Sequence, residues 1–188
     1  MNETTDRPGV DERYASATNA SSLLVTPERA CSADVIIAAG WSPSRLGMAL
    51  LRLASEWDAS AKPAPSANAE WLVHEQRLLM GKLKTLPGVR DQVQLYAGRK
   101  FGADKARDVA AEAILHWLDP NCRTCDGRKY EAVKNTARLS GRHCPACHGS
   151  GERKAGIAAL LVTDYMGSCV YGAREQLKKK LKFFNNHA

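Results

Sequence analysis

The chain has 188 residues, of which 44% are hydrophobic and 25% are charged, as in an ordinary soluble protein. No run approaches the ~18 consecutive apolar residues that a membrane span needs, so a membrane-spanning protein is excluded. The first ten residues are polar and acidic and lack the basic and apolar regions of a secretory signal. We therefore expect a protein of the cytosol.

The chain is predicted to be mainly α-helical. Residues 1–32 are rich in polar residues and show no helical or strand period, which predicts a disordered segment. Residues 33–121 are predicted to form a helical body that contains a Pro- and Ala-rich linker at 59–68. Apolar spacing places its helices at 33–39, from Ser42 or Ser44 to the linker, and at 71–84, 89–100 and 104–118.

Four of the six cysteines form two C-x-x-C pairs, Cys122 with Cys125 and Cys144 with Cys147. Each pair can present two thiolates to one ion from a tight turn, and two such turns complete a tetrahedral shell. Glycines follow each pair and permit the backbone to curl back towards the sulfurs. The spacing therefore predicts one structural Zn²⁺ per chain, held by an irregular β-hairpin within residues 122–154, with no open position for catalysis.

Other uses of these cysteines fit the sequence less well. A thioredoxin-like redox pair needs a strand–helix setting around a single C-x-x-C, and neither pair has one. An iron–sulfur cluster also takes four cysteines, but symmetrical pairs with glycine turns favour zinc. His143 and His148 flank the second pair, and we interpret them as polar neighbours or phosphate-facing groups.

Residues 155–188 are predicted to form a basic tail with two helices, at 155–166 and 169–184. Gly167 suits a turn and Ser168 suits the N-cap of the following helix. Two helices joined in this way form the skeleton of a helix-turn-helix, and an ordinary helical hairpin fits the spacing equally well. We expect a helix-turn-helix-like unit.

The positive charge is confined to the last third of the chain. Residues 1–121 carry 14 Lys and Arg against 15 Asp and Glu, whereas residues 122–188 carry 13 against 5, a net charge of +8. Such a division predicts contact with a polyanion, and nucleic acid is the favoured one. We expect Tyr171 and Arg174 to read base edges and the lysines to contact phosphates. The candidate DNA-binding residues are Arg128, Lys129, Arg153, Lys154, Tyr171, Arg174, Lys178, Lys179, Lys180 and Lys182.

Taken in order, these features resemble the lambda-type late-gene antitermination protein Q family of tailed phages. The resemblance covers residues 34–184 and includes AAGWSPSRLGMALL at 38–51, an Ala-rich helix, C-x-x-C-x-G, a basic insert, C-x-x-C-x-G-x-G and a helical tail. Lys129 departs from the family pattern because it replaces the second glycine of the first cysteine turn. The tail is also shorter than in lambda-type members.

The resemblance implies a non-enzymatic transcription antitermination factor of the bacterial host cytoplasm. Such proteins bind DNA at a phage late promoter, contact the flap region of RNA polymerase and its sigma factor, and make the polymerase read through pauses and terminators. The family's zinc ligands would correspond to Cys122, Cys125, Cys144 and Cys147.

The residues leave other functions open. CHGSG at 147–151 is similar to the zinc knuckles of DnaJ-type cochaperones, which suggests a chaperone or thiol-exchange module, although those proteins carry more copies of the motif. Another zinc-dependent nucleic-acid-binding protein fits as well. An enzyme such as a nuclease is disfavoured because no acidic residues form a recognisable catalytic arrangement.

Overall fold

The computed structural model of the protein describes residues 9–18, 36, 45–61, 69–133 and 138–186. The described chain is mainly helical, as predicted. Its helices are α1 (Val10–Thr18), α2 (Arg45–Asp58), α3 (Ala69–Lys82), α4 (Leu86–Phe101), α5 (Ala103–Leu118) and α6 (Ile157–Asn186). Two strands, β1 (Tyr130–Ala132) and β2 (Leu139–His143), pair in an antiparallel hairpin.

Most of the predicted helices of the body are present. The predicted helix at 33–39 lies outside the described residues except for the helical Ile36, and so does most of the linker at 59–68. The helix predicted at 89–100 begins earlier, at Leu86, and Pro87 lies in its first turn. A proline is well tolerated there, since its missing N–H would have no partner within the helix.

The chain divides into two compact units, and the first comprises residues 1–55 and 166–188. Within the segment 1–32 that is predicted to be disordered, the structure describes residues 9–18, which contain α1, and the rest of the segment lies outside the described residues. Tyr14 and Ala17, three residues apart on one face of α1, are both buried. Burial raises the pKa of the Tyr14 phenol, and the positive charge of Arg52 partly offsets the rise. Two buried positions in a polar segment are too few to give a recognisable period.

The predicted helix-turn-helix is wrong, because α6 is continuous from Ile157 to Asn186 and contains both Gly167 and Ser168. A glycine inside a helix costs about 1 kcal/mol relative to alanine. The apolar positions on either side of it keep the helical spacing, and that continuous stripe outweighs the cost. The buried residues of α6 are Ala159, Val162, Met166, Val170, Ala173, Leu177 and Leu181.

The second unit comprises residues 56–165 and contains the cysteine hairpin. Its helices α4 and α5 are joined at Gly102, whose φ is +97°, and they pack through small residues. A Cβ at Gly98 would lie 3.5 Å from the Cβ of Ala106.

The hairpin lies between α5 and α6 in the chain, and the residues at both of its ends form hydrogen bonds with α5. The N–H of Asp119 caps α5 by donating to Leu115 O at 3.0 Å. On the far side of the hairpin, the N–H of Gly156 donates to Glu112 Oε1 at 2.8 Å. These two contacts hold the base of the hairpin at the helical body.

Candidate metal centre

The four predicted ligands, Cys122, Cys125, Cys144 and Cys147, converge at the base of the hairpin. All four are buried, and their sulfur atoms lie within 4.8 Å of one another. Cys122 Sγ lies 4.0 Å from Cys144 Sγ, and Cys125 Sγ lies 3.7 Å from Cys147 Sγ. A disulfide requires about 2.05 Å, so these cysteines are free thiols.

The sulfur positions fit a single metal ion. Metal–sulfur bonds of about 2.3 Å in a tetrahedron place neighbouring sulfurs about 3.8 Å apart. The closest pairs across the cluster, at 3.7 and 4.0 Å, come near that separation. Four protein ligands would complete the shell, so such a centre can support the fold but has no position for a reacting water.

The two cysteine turns, which we call knuckles, repeat the same backbone conformation 22 residues apart. The residue after the second cysteine has a φ of +53° in both knuckles, at Asp126 and at His148. The next residue, Gly127 or Gly149, also has a positive φ. The weak internal repeat in the sequence therefore corresponds to two copies of one turn.

Lys129 keeps this geometry although it replaces a glycine. Its φ is +72°, against +81° for Gly151 at the equivalent place in the second knuckle. The departure from the resembled family thus leaves the turn conformation unchanged, with a lysine in the left-handed region that costs a side chain about 1–2 kcal/mol.

Reciprocal backbone hydrogen bonds join the two knuckles. The N–H of Cys122 donates to Gly151 O at 2.9 Å, and the N–H of Cys144 donates to Lys129 O, also at 2.9 Å. Each knuckle therefore ends on a carbonyl that fixes the first cysteine of the other knuckle. This exchange brings the two pairs of thiols together.

The thiols of Cys125 and Cys147, the second cysteines of the two knuckles, differ in acidity. Burial raises the pKa of the Cys147 thiol, but the N–H groups of Gly151 and Gly149 and the neighbouring thiols outweigh burial and lower that pKa to about 6. The Gly151 N–H lies 3.3 Å from Cys147 Sγ. Burial dominates at Cys125 and raises its pKa to about 12. The thiolate form is therefore favoured at Cys147 and disfavoured at Cys125.

Two residues that the motif alone does not reveal cover the glycines of the knuckles. A Cβ at Gly149 would lie 2.5 Å from Nδ1 of His143, and one at Gly127 would lie 3.4 Å from Oδ1 of Asn121. Both covering residues directly precede the first cysteine of a knuckle, so the repeat places them equivalently. His143 is therefore a packing residue of the centre, and the metal-ligating cluster contains neither His143 nor His148.

A buried carboxylate fastens the hairpin to the end of α5. Asp119 is 5% exposed, and its Oδ2 lies 2.6 Å from Arg123 Nε and 3.1 Å from an Arg153 terminal nitrogen. Arg153 Nε also donates to the backbone O of Asp119 at 3.2 Å. Arg153, a candidate DNA-binding residue, thus has a structural partner. Removing Asp119 would leave two poorly exposed guanidinium groups without this carboxylate.

The remaining candidate DNA-binding residues fall in both compact units. Arg128, Lys129 and Lys154 are exposed in the unit that holds the hairpin. The other unit carries the second group on α6, where Tyr171 is 68% exposed. In this group Lys178 and Lys179 are exposed, Arg174 and Lys180 are half-buried, and the side chain of Lys182 lies outside the described part.

Comparison of the chain with models of known protein families, with curated proteins and with solved structures finds no match. Among the described residues, no helix is both long enough and apolar enough to cross a membrane.

Proposed function

We propose that the protein is a non-enzymatic transcription antitermination factor that binds double-stranded DNA through its basic residues 122–188, which include a hairpin stabilised by one structural Zn²⁺. The observation that carries the proposal is the closed cluster of four buried thiols inside the segment that holds all of the excess positive charge. A closed metal centre can hold a short, basic hairpin that could not form an apolar core of its own.

Zinc is the metal that this donor set favours. Four thiolates in tetrahedral positions suit Zn²⁺, and paired C-x-x-C turns are its usual setting. We expect the purified protein to hold one zinc ion per chain. Cys144→Ser should lose most of the zinc, whereas Cys169→Ser, which changes a cysteine outside the cluster, should retain it. Retention of zinc by Cys144→Ser would exclude this centre.

The charge distribution supports DNA as the partner. Four thiolates and one divalent cation contribute −2, so the formal charge of +8 on residues 122–188 leaves this segment basic after metal binding. Binding of such a segment to a phosphate backbone releases counterions, which makes the affinity fall as the salt concentration rises. The nearly neutral remainder of the chain contributes little to this attraction.

A titration of duplex DNA at several salt concentrations tests the DNA contact. Lys179→Ala should weaken binding to all sequences alike and reduce the slope of log K against log salt by about one. Lys105→Ala, an exposed lysine of α5 outside the candidate set, is the matched control and should leave the slope unchanged. An unaltered slope in Lys179→Ala would contradict the assignment of this lysine to DNA.

An exposed apolar strip at the start of α6 supports a protein partner, and the resemblance implies that this partner is RNA polymerase. Ile157, Leu160 and Leu161 lie three and four residues apart and are 79%, 40% and 41% exposed. Leu160→Asp should reduce co-purification with polymerase while leaving DNA binding intact. Failure of the wild-type protein to bind polymerase at all would remove antitermination from the proposal and leave a DNA-binding protein.

A further inference from the structure

The hairpin carries an exposed pair of stacked rings, neither of which belongs to the metal ligands or to the candidate DNA-binding residues. Tyr130 of β1 lies opposite His143 of β2, with ring centroids 5.3 Å apart and ring planes 20° from parallel. Tyr130 is 38% exposed, and His143 is exposed as well. We call these two residues the stacking surface.

The metal centre holds the stacking surface in place from both strands. On one strand, His143 precedes the ligand Cys144 and packs over Gly149. On the other, Tyr130 follows Lys129, whose carbonyl accepts the hydrogen bond from the N–H of Cys144. A ring that is fixed before binding loses little conformational freedom when a ligand stacks on it.

Positive charge surrounds the stacking surface. Residues 128–143 contain five Lys and Arg and a single acidic residue, Glu131. Arg142 Nε lies 3.6 Å from Glu131 Oε2, and the Arg142 side chain remains 85% exposed. Arg128 and Lys129 immediately precede Tyr130 and are also exposed. An exposed ring among cations suits a polyanion that also offers flat aromatic groups.

From this arrangement we infer that the hairpin binds single-stranded DNA, with an unpaired base stacked on Tyr130 and the neighbouring phosphates near Arg128, Lys129 and Arg142. A duplex presents only base edges in its grooves, whereas an unpaired base offers its whole face to an aromatic ring. The inference rests on the proposed DNA-binding function and adds a second form of DNA, to which Tyr130 and Arg142 would contribute beside the candidate residues Arg128 and Lys129.

Binding of a short oligonucleotide to the zinc-loaded, full-length protein tests this inference. The probe is a single strand of about eight nucleotides containing 2-aminopurine, whose fluorescence falls when it stacks on an aromatic ring. Tyr130→Ala should weaken binding by about 5- to 100-fold and remove most of the fluorescence change. Tyr130→Phe should behave like the wild type, because stacking needs the ring and not the hydroxyl group.

Two further variants separate stacking from folding. Tyr130→Leu keeps an apolar side chain against His143 but has no ring, so it should retain zinc and thermal stability and lose binding as Tyr130→Ala does. Val133→Ala removes another exposed apolar side chain near the end of β1 and should bind the oligonucleotide normally.

The outcomes distinguish this inference from the proposed function. Normal single-strand binding by a folded Tyr130→Leu variant would overturn the inference, and unchanged duplex binding by the same variant would leave the proposed function standing. Tighter binding of an RNA of the same sequence would overturn the assignment to DNA. Failure of the wild-type protein to bind duplex DNA would contradict the proposed function itself.

Discussion

Three residues of the knuckles that have positive φ are not glycine: Asp126, Lys129 and His148. Asp and His are among the residues that adopt this conformation most readily, whereas lysine gains nothing from it. The backbone strain of the two knuckles is therefore greatest at Lys129. At Gly149 and Gly151, by contrast, there is no room for the Cβ of a larger residue.

Gly149→Ala should be the most damaging small substitution in the hairpin. Its φ is +87°, and the added Cβ would lie 2.5 Å from His143 Nδ1. The combined strain and overpacking should cost about 2–3 kcal/mol and lower zinc affinity correspondingly, as measured by competition with a chelator. Gly141→Ala is the matched control, since nothing lies within 4 Å of its Cβ position. Equal stability of the two variants would contradict the packing described for His143.

Lys129→Gly should relieve backbone strain. Because the φ of Lys129 is +72°, glycine should be more stable here than alanine by about 1 kcal/mol. Both variants lose the charge of the lysine, so the difference in stability between them reports the backbone conformation alone. Urea denaturation of the zinc-loaded proteins measures the difference. A more stable alanine variant would show that the turn does not adopt this conformation.

At the scale of the element, the continuity of α6 is the main departure from the sequence prediction. Gly167→Ala tests it, because alanine stabilises the interior of a helix by up to about 1 kcal/mol and nothing lies within 4 Å of this Cβ position. Gly172→Ala, in the same helix and equally unobstructed, should give a similar gain. Destabilisation by Gly167→Ala alone would indicate a turn with positive φ and restore the helix-turn-helix.

The hairpin should bind zinc more tightly as the pH rises. Zinc displaces the protons that the four thiols still carry, so protons compete with the metal. Cys147, with a pKa of about 6, has lost its proton by pH 7, whereas Cys125, with a pKa of about 12, retains one. Zinc binding should therefore displace the Cys125 proton throughout the range from pH 6 to 8, and the Cys147 proton as well towards the lower end of that range. Chelator competition between pH 6 and 8 measures this slope, and a pH-independent affinity would contradict it.

At the scale of the whole molecule, the sequence predicts the helical class, four ligands that the structure brings together, and most helix boundaries. These predictions succeed because each depends on a local pattern, such as the two C-x-x-C pairs or the apolar spacing of α5. Failures occur where distant residues decide the outcome. Tyr14 and Ala17 are buried in a segment that is polar as a whole, and Gly167 stays helical because the buried stripe of α6 continues past it.

The same limit applies to the candidate site. The cysteines are recognisable from their spacing, but the Asp119–Arg153 ion pair joins residues 34 positions apart and follows no motif. The stacking of Tyr130 on His143 likewise depends on the register of the hairpin, which a bulge between Tyr130 and Ala132 shifts.

Terminator read-through in cells measures antitermination itself. The reporter stands behind a terminator and is transcribed from the late-promoter region of the genome that encodes the chain. We expect read-through that requires this promoter region, is lost with Cys144→Ser and persists with Cys169→Ser. Absence of read-through with folded, zinc-loaded wild-type protein would contradict antitermination, and read-through by Cys144→Ser would contradict the need for the metal centre.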